Sequence, residues 1–327
     1  MPAIEQPVIA IVDQSADAYL QLLQPHFPGA SFIGAPDFES LPEDGFEAEA
    51  LITFGLTLTA DQFARFDRLA WVQALSTGVD HLLPLVRGRD IVLTSARGIH
   101  GAAVSELALL LMLALARGLP RMMRAQARHA WEGFDGALLA GKSVGIIGLG
   151  LISAELARKC GAFGMNVTAF TATPRDVPHV DRIRSYEELA DTIGELDFLV
   201  SVAPLNERSR RMIDAPLLAR AKPDLLFVNV GRGGTVDEAA LITALDEGRL
   251  GGAGLDTVES EPLDPSSPLW DMENVILTPH VAGRGDSYVD RVGDLLIENI
   301  AGFLAGKPLT NRVEATARSA GAPPRTR

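Results

Sequence analysis

From residue 144 to residue 277, short apolar runs alternate with stretches of helical periodicity, and this alternation restricts the chain more than any other feature. Residues 144–147, 167–170, 198–202, 225–229, 252–256 and 275–277 read as strands. Helices are predicted at 152–163 and 238–247, and a Ser185/Glu188 capping box opens another that runs through 193. Runs that stay apolar at every position are buried on both faces, and strands joined through helices run parallel. The pattern therefore predicts a doubly wound parallel sheet, a fold that binds its ligands beyond the carboxyl ends of the strands.

The first hundred residues repeat the alternation more weakly, with strand candidates at 8–12, 50–53, 71–74 and 92–94. A chain of 327 residues exceeds what one core usually supports, so a second α/β domain is expected. One long helix from 101 to about 128 would carry the chain into the central domain, and a helix over 287–304 would carry it back. The predicted fold class is thus α/β, two Rossmann-like doubly wound parallel-sheet domains with a cleft between them. One domain is discontinuous, 1–100 plus 286–327, and the other spans 101–285. The tail over 315–327 has prolines and arginines without apolar periodicity and is expected to be loosely held.

Composition removes several function classes. The formal net charge is -13 with no basic stripe to offset it, which argues against nucleic acid as a partner. The apolar run over 107–116, bracketed by Glu106 and Arg117, is about half the length of a membrane span. It reads as a buried helix, and no membrane partner is expected. Met1-Pro2-Ala3-Ile4-Glu5 has no basic region of the kind that opens a secretory signal. The single cysteine, Cys160, allows no intrachain disulfide, which suits a reducing cytoplasm, and its helical surroundings predict plain core packing.

Gly148-Leu149-Gly150-Leu151-Ile152-Ser153 lies between a predicted strand and a predicted helix, the context a dinucleotide-binding turn requires. Gly148 would permit the tight turn, and Gly150 would let the backbone approach a pyrophosphate at the helix N-terminus. Ser153 stands where a third glycine or alanine is usual. Leu151 and Ile152 complete the candidate cofactor residues of the turn, and Val230 and Gly283 are further candidates. The carboxylate that would hold an NAD ribose is absent at the end of the second strand, where Phe170-Thr171-Ala172-Thr173-Pro174-Arg175 stands instead. Thr171, Thr173 and Arg175 can surround a 2′-phosphate without repulsion, so NADP is the preferred cofactor, with NAD possible. The alternative is that Arg175 is a solvated loop residue.

Three further strings supply an arginine, a carboxylate and a histidine: Asn229-Val230-Gly231-Arg232-Gly233, then Glu261-Pro262, then Thr278-Pro279-His280. An arginine fork can grip a carboxylate or polarise a carbonyl, and a histidine held against a carboxylate can move a proton near neutral pH. Arg232, Glu261 and His280 each follow a different predicted strand, so all three lie at the edge that carries the glycine turn. Singly, His280 reads equally well as a structural residue, Glu261 as a solvated loop acid, and Arg232 either way. Jointly they read as a catalytic trio. His26, His81, His100, His129 and His179 share no ligand spacing, and no metal is expected.

These strings, with Val202-Ala203-Pro204-Leu205-Asn206, Gly254-Leu255-Asp256, Val72-Gln73-Ala74-Leu75-Ser76-Thr77-Gly78-Val79-Asp80 and the stretch from Ala96-Arg97-Gly98 to Ala116-Arg117, resemble those of the D-isomer-specific 2-hydroxyacid dehydrogenases. The resemblance covers residues 70–310 or so, in order, and is nearest to glyoxylate/hydroxypyruvate reductase-like members. It implies an oxidoreductase that reduces a small 2-keto acid to the D-2-hydroxy acid. The two ends of the chain would form its substrate domain, the middle its dinucleotide-binding Rossmann domain, and the assembly would be a homodimer that uses the 107–116 helix. It implies that His280 is the general acid, that Glu261 orients its ring, and that Arg232 binds the substrate's carboxylate and carbonyl. Ser76, Thr77, Gly78 and Val79 would hold the substrate carboxylate through backbone N–H groups, and Arg97 would touch substrate. Asp256 would accept from the nicotinamide amide, Pro204 would line the cofactor groove, and Trp131 would close over the substrate or simply pack. A nucleotide-sensing regulatory protein on the same fold and a formate- or phosphite-type dehydrogenase remain as alternatives.

Overall fold

The structure, a computed structural model, describes residues 7–313. The expectations about the first five residues and about the tail over 315–327 lie outside the described residues. The chain divides into two units, the first running to Ile99 and resuming at Asp286, the second comprising His100–Gly285.

In the first unit, β1 (Val8–Val12), β2 (Ser31–Ala35), β3 (Ala50–Thr53), β4 (Trp71–Ala74) and β5 (Val92–Thr94) form a parallel sheet in the order β2-β1-β3-β4-β5. β3 and β4 are buried at every position, as their largely apolar sequences favour, with Thr53 and Gln73 as buried polar members. β2 is an edge strand whose half-exposed Ser-Phe-Ile-Gly-Ala run lacks that signature, so it escapes a reading of periodicity.

In the second unit, β6 (Ser143–Ile147), β7 (Asn166–Phe170), β8 (Arg182–Arg184), β9 (Phe198–Ser201), β10 (Leu226–Asn229), β11 (Gly252–Leu255) and β12 (Val275–Leu277) pair in the order β12-β11-β10-β9-β6-β7-β8, all parallel. The direction of winding reverses at β6, which lies between β7 and β9, and this is the switch point of a Rossmann sheet. β8, Arg-Ile-Arg at the sheet edge, carries too little apolar character to be read from sequence. The capping box forms, with Ser185 N–H donating to Glu188 Oε2 at 2.8 Å. The turns it opens change pitch, from 3-10 over Tyr186–Glu188 to α over Leu189–Thr192 and back to 3-10 over Ile193–Glu195, rather than forming one helix.

The single helix expected over 101–128 is two, Gly101–Ala116 and Leu119–Ala127, bent by 66°. Gly118 takes the left-handed conformation at φ 65°, which ends the first helix, and a side chain there would meet the Phe134 ring. Pro120, lacking an N–H, sits in the first turn of the second helix, where no donor is needed. Among the described residues no single helix is long and apolar enough to cross a membrane. Val104, Ala108, Leu111 and Met112 of the first helix pack into a core with Val144, Ile146, Val200 and Val228. Cys160 belongs to the same core, and burial pushes its thiol up to about 12, which leaves it protonated and inert.

The final helix, Tyr288–Leu304, turns Tyr288, Val292, Leu296, Asn299 and Ile300 inward onto Ile9, Ile11, Tyr19 and Trp71 of the first unit. One buried polar residue interrupts this apolar face. Asn299 Nδ2 donates to Gln73 Oε1 at 2.8 Å and to the Thr310 carbonyl at 3.1 Å, while its Oδ1 accepts from Thr310 N–H at 2.7 Å. Gln73 Oε1 also accepts from Thr94 Oγ1, which in turn accepts from Trp71 Nε1 at 2.9 Å. The network ties the returning chain to β4 and β5 in one register, because a shift of either partner leaves buried polar groups unpaired. Replacing Asn299 with alanine should lower stability by about 2–4 kcal/mol. An unchanged urea midpoint for the variant would show that the network contributes nothing.

Candidate functional site

The glycine turn stands at the switch point. Gly148 has φ 93°, and a Cβ there would lie 3.1 Å from Ala203 Cα, so the turn after β6 rests directly on the backbone that leaves β9. Gly150, at φ -117°, faces open space, the opening a diphosphate needs to reach backbone N–H groups. The helix Leu151–Ala162 starts there, and Ser153 is buried against the sheet in place of the usual third glycine. The turn therefore fits a dinucleotide.

Beyond β7, Thr171 Oγ1 accepts from Thr173 N–H at 3.2 Å, and Arg175 Nη2 reaches back to the Leu149 carbonyl at 3.3 Å. The structure thus brings Arg175 onto the glycine turn. Pro204 follows β9, its carbonyl held by Ser209 Oγ at 2.6 Å, and Val230 follows β10, buried. Gly283 is packed tightly on His100, whose Cδ2 would lie 2.9 Å from a Cβ.

The trio assembles from three consecutive loops. Arg232 follows β10, and its Nη1 donates to the Gly231 carbonyl at 2.8 Å. Glu261 follows β11, with Oε1 accepting from Val258 N–H at 3.3 Å and Oε2 meeting His280 Nδ1 at 2.6 Å. His280 follows β12, and because Nδ1 faces the carboxylate, Nε2 is the nitrogen that can carry a proton to a ligand. Both side chains remain reachable, at 33 % and 37 % exposure for His280 and Glu261. Burial alone would raise the Glu261 carboxyl. The hydrogen bond and charge of His280, the Val258 N–H and the charge of Arg232 together outweigh it and hold the carboxyl below the usual glutamate range. With its pKa lowered in the fold, Glu261 stabilises the folded site above the ordinary carboxylate range, a contribution lost as pH falls through the lowered value.

Several further residues fix this geometry. His280 adopts φ 50°, a left-handed conformation rare outside glycine. Asp256 holds it there from beneath: buried, its Oδ1 accepts from Thr278 Oγ1 at 2.6 Å and Val281 N–H at 2.9 Å, and its Oδ2 from Ala282 N–H at 2.9 Å. Its carbonyl accepts from His280 N–H at 2.9 Å. The Glu261 loop is gripped by Arg211, whose Nη2 donates to Glu259 Oε1 at 2.6 Å, and by Glu238 Oε2, which accepts from Glu259 N–H at 2.9 Å. Gly233 admits this loop, since a Cβ there would sit 1.8 Å from the Val258 carbonyl oxygen. Gly233, Asp256 and Thr278 fall within strings that the sequence marks, whereas Arg211, Glu238 and Glu259 do not.

In the first unit, Ser76, Thr77, Gly78 and Val79 form the turn beyond β4. Ser76 Oγ donates to the Gly78 carbonyl at 2.6 Å, and the Ser76 carbonyl accepts from Ala96 N–H at 3.0 Å. Arg97 lies beyond β5, its carbonyl accepting from Asn311 Nδ2 at 2.8 Å. Trp131, in the second unit, is fully exposed. Among the described residues, no group of three or more histidine, cysteine or acidic side chains could hold a metal ion.

Residues 109–282 match the family model described as D-isomer specific 2-hydroxyacid dehydrogenase, NAD binding domain. A D-isomer specific 2-hydroxyacid dehydrogenase family protein from Aeromonas salmonicida has a solved structure that superposes with a TM-score of 0.87 at 31 % identity, over 95 % of this chain and all of that one. An NADPH-dependent glyoxylate/hydroxypyruvate reductase from Sinorhizobium meliloti, solved with NADP and sulfate, superposes with a TM-score of 0.81 at 31 % identity, over 95 % of this chain and 98 % of that one. D-3-phosphoglycerate dehydrogenase of Mycobacterium bovis is 32 % identical over 92 % of this chain, which spans only 57 % of that relative's length. With a matched model over the sheet that carries the trio and an end-to-end structural likeness, the chain belongs to the D-isomer specific 2-hydroxyacid dehydrogenase family.

Proposed function

We propose that this chain reduces a small 2-keto acid of the glyoxylate or hydroxypyruvate type to its D-2-hydroxy acid, with NADPH as preferred cofactor. The observation that carries the reading is the 2.6 Å contact between His280 Nδ1 and Glu261 Oε2, with Arg232 beside it, at the strand edge that also holds the glycine turn. The nicotinamide cofactor supplies the hydride. His280 gives its Nε2 proton to the carbonyl oxygen as the carbonyl carbon is reduced, and takes it back in the reverse direction. Glu261 orients the ring and stabilises its charge, and Arg232 grips the substrate carboxylate and carbonyl.

In this reading the second unit binds the dinucleotide, through Gly148, Gly150, Leu151, Ile152, Pro204, Val230, Asp256 and Gly283. Thr171, Thr173 and Arg175 receive the 2′-phosphate. The first unit binds substrate, with the backbone of Ser76, Thr77, Gly78 and Val79 on the carboxylate and Arg97 beside it. The bound NADP of the Sinorhizobium reductase supports the cofactor assignment. The phosphoglycerate dehydrogenase relatives make the identity of the keto acid the point to measure first.

We further propose a homodimer built on the second unit. On the helix Leu119–Ala127, Leu119, Met122 and Met123 share one face at i, i+3 and i+4 and are exposed, as are Leu110 on the preceding helix and Trp131 beyond it. A second copy of the same face is the occupant that an apolar stripe of this kind suits.

Turnover should appear when NADPH is mixed with glyoxylate or hydroxypyruvate, and not with NAD plus formate or phosphite. D-3-phosphoglycerate with NAD and pyruvate or phenylpyruvate with NADPH complete the panel. Absence of any keto-acid reduction would sink the activity, and a higher kcat/KM with NADH than with NADPH would sink the cofactor preference. His280→Ala should lower kcat by roughly 10² to 10⁴ while NADPH still binds, so near-normal turnover in that variant refutes the acid role. For Glu261→Gln kcat should fall roughly 10- to 100-fold while the KM for NADPH stays put, since the ring loses the carboxylate that orients it. An unchanged kcat would count against the pair. Sedimentation should give a dimer for the native chain and a monomer for the double variant Met122→Glu, Met123→Glu, and a native monomer would remove the proposed interface.

A further inference from the structure

The turn Ser76-Thr77-Gly78-Val79 leaves the end of β4 at the edge of the first unit's sheet. Leu75 N–H still pairs with the Thr53 carbonyl at 2.9 Å and the Ser76 carbonyl with Ala96 N–H at 3.0 Å, after which the chain departs from the sheet. The carbonyl between those two anchors belongs to Leu75, and its partner comes from the far end of the chain. Tyr288, the first residue of the final helix, donates its hydroxyl to the Leu75 carbonyl across more than two hundred residues of sequence. The tyrosine ring packs against Phe54, with centroids 5.5 Å apart, and is buried.

We infer that Tyr288 is a positioning residue for the turn 76–79, setting the aim of the backbone N–H groups that bind the substrate carboxylate. This rests on the reading of that turn as the carboxylate site. The geometry shows how the hold operates. The Leu75 carbonyl is the last group of the chain before the turn, so a bond from a rigid ring fixes the peptide plane that enters it. Ser76 Oγ then closes the turn on the Gly78 carbonyl, and Val79 is fixed in turn because its carbonyl accepts from Leu82 and Leu83 N–H at 3.0 Å. Entry, middle and exit each carry a hold, and the entry is tied from outside the local segment, by Tyr288 on the Leu75 carbonyl and by Ala96 N–H on the Ser76 carbonyl.

The bond does not switch with pH. Burial, then the nearby Asp13 carboxylate, push the Tyr288 hydroxyl above the ordinary tyrosine range, and Arg291 opposes them more weakly. The hydroxyl therefore remains a donor through the ordinary tyrosine range, and its loss should change affinity without changing the shape of a pH profile near neutrality.

Tyr288→Phe in the full chain keeps the ring against Phe54 and removes the hydroxyl. Amide exchange followed by mass spectrometry should show the peptide carrying residues 76–79 exchanging roughly three- to tenfold faster, with peptides from β1 and β3 unchanged. In steady-state assays with NADPH, the KM for the keto acid should rise by the same roughly three- to tenfold while kcat and the KM for NADPH stay put. Equal exchange in the two proteins overturns the inference, as does a fall in kcat together with weaker NADPH binding, which a general loss of structure would produce. Ser76→Ala separates this from the underlying reading: if Ser76→Ala leaves the keto-acid KM untouched, the turn is not the carboxylate site. If Ser76→Ala raises the KM and Tyr288→Phe does not, the turn binds substrate and Tyr288 does not position it. The exchange measurement needs no turnover and decides the Tyr288 contact in either case.

Discussion

Parallel pairing is the constraint on which the rest of the second unit depends. Seven strands all running one way leave every carboxyl end on one edge, so the loops after β6, β9, β10, β11 and β12 open there together. Each strand is followed by a connection that must return along a face of the sheet before the next can begin. Residues distant in sequence are brought side by side by this geometry alone: Gly148 and Gly150 after β6, Pro204 after β9, then Arg232, Glu261 and His280 after β10, β11 and β12. The reversal of winding at β6 separates the helices on either side and leaves room where the glycine turn stands, and the close fit of Gly148 on Ala203 shows how little space the backbone itself takes there.

Bringing loops to one edge does not by itself aim a side chain. His280 takes a backbone conformation that is unfavourable for a residue with a Cβ, and a contact elsewhere must hold it. Asp256 supplies that contact. A buried carboxylate is costly unless its oxygens are filled, and here one hydroxyl and two backbone N–H groups of the His280 loop fill them. The carboxylate and the loop satisfy one another, and the ring is turned so that Nδ1 faces Glu261. Glu261 accepts from Val258 N–H on its other side, and Arg211 and Glu238 grip Glu259 two residues before it, so the pair meets at 2.6 Å between two loops that are each tied down independently.

The first unit uses the same sheet logic with a different lock. Its edge, around β4 and β5, is tied to the returning segment of the chain as well as between neighbouring loops, where Ala96 N–H meets the Ser76 carbonyl. Asn299 reaches Gln73, Asn311 reaches Arg97, and Tyr288 reaches Leu75. A discontinuous unit has to bring back its second segment in a defined register, and buried polar pairs do this more strictly than apolar packing, because they tolerate no slip.

What could be read from the chain alone was whatever a local pattern carries. Unbroken apolar runs mark β6, β7, β9 and β10. A glycine turn between strand and helix marks the dinucleotide site, and reactive residues just past the strands mark Arg232, Glu261 and His280. Their relative order along the sheet follows from connection rules that are themselves local in origin. Where local signals were ambiguous or weak the reading went astray. An unbroken apolar run hid the bend at Gly118, which depends on Phe134 lying against it, and β2 and β8 form at sheet edges from sequences with little strand character. The sequence by itself determined the parallel sheets and the identity of the reactive groups, since strand burial and residue chemistry are properties of short segments. Only the tertiary structure decided how those groups are aimed. The contacts that aim them, Asp256 on the His280 loop, Arg211 on Glu259 and Tyr288 on Leu75, join residues separated along the chain, and such pairings exist only once the chain has folded.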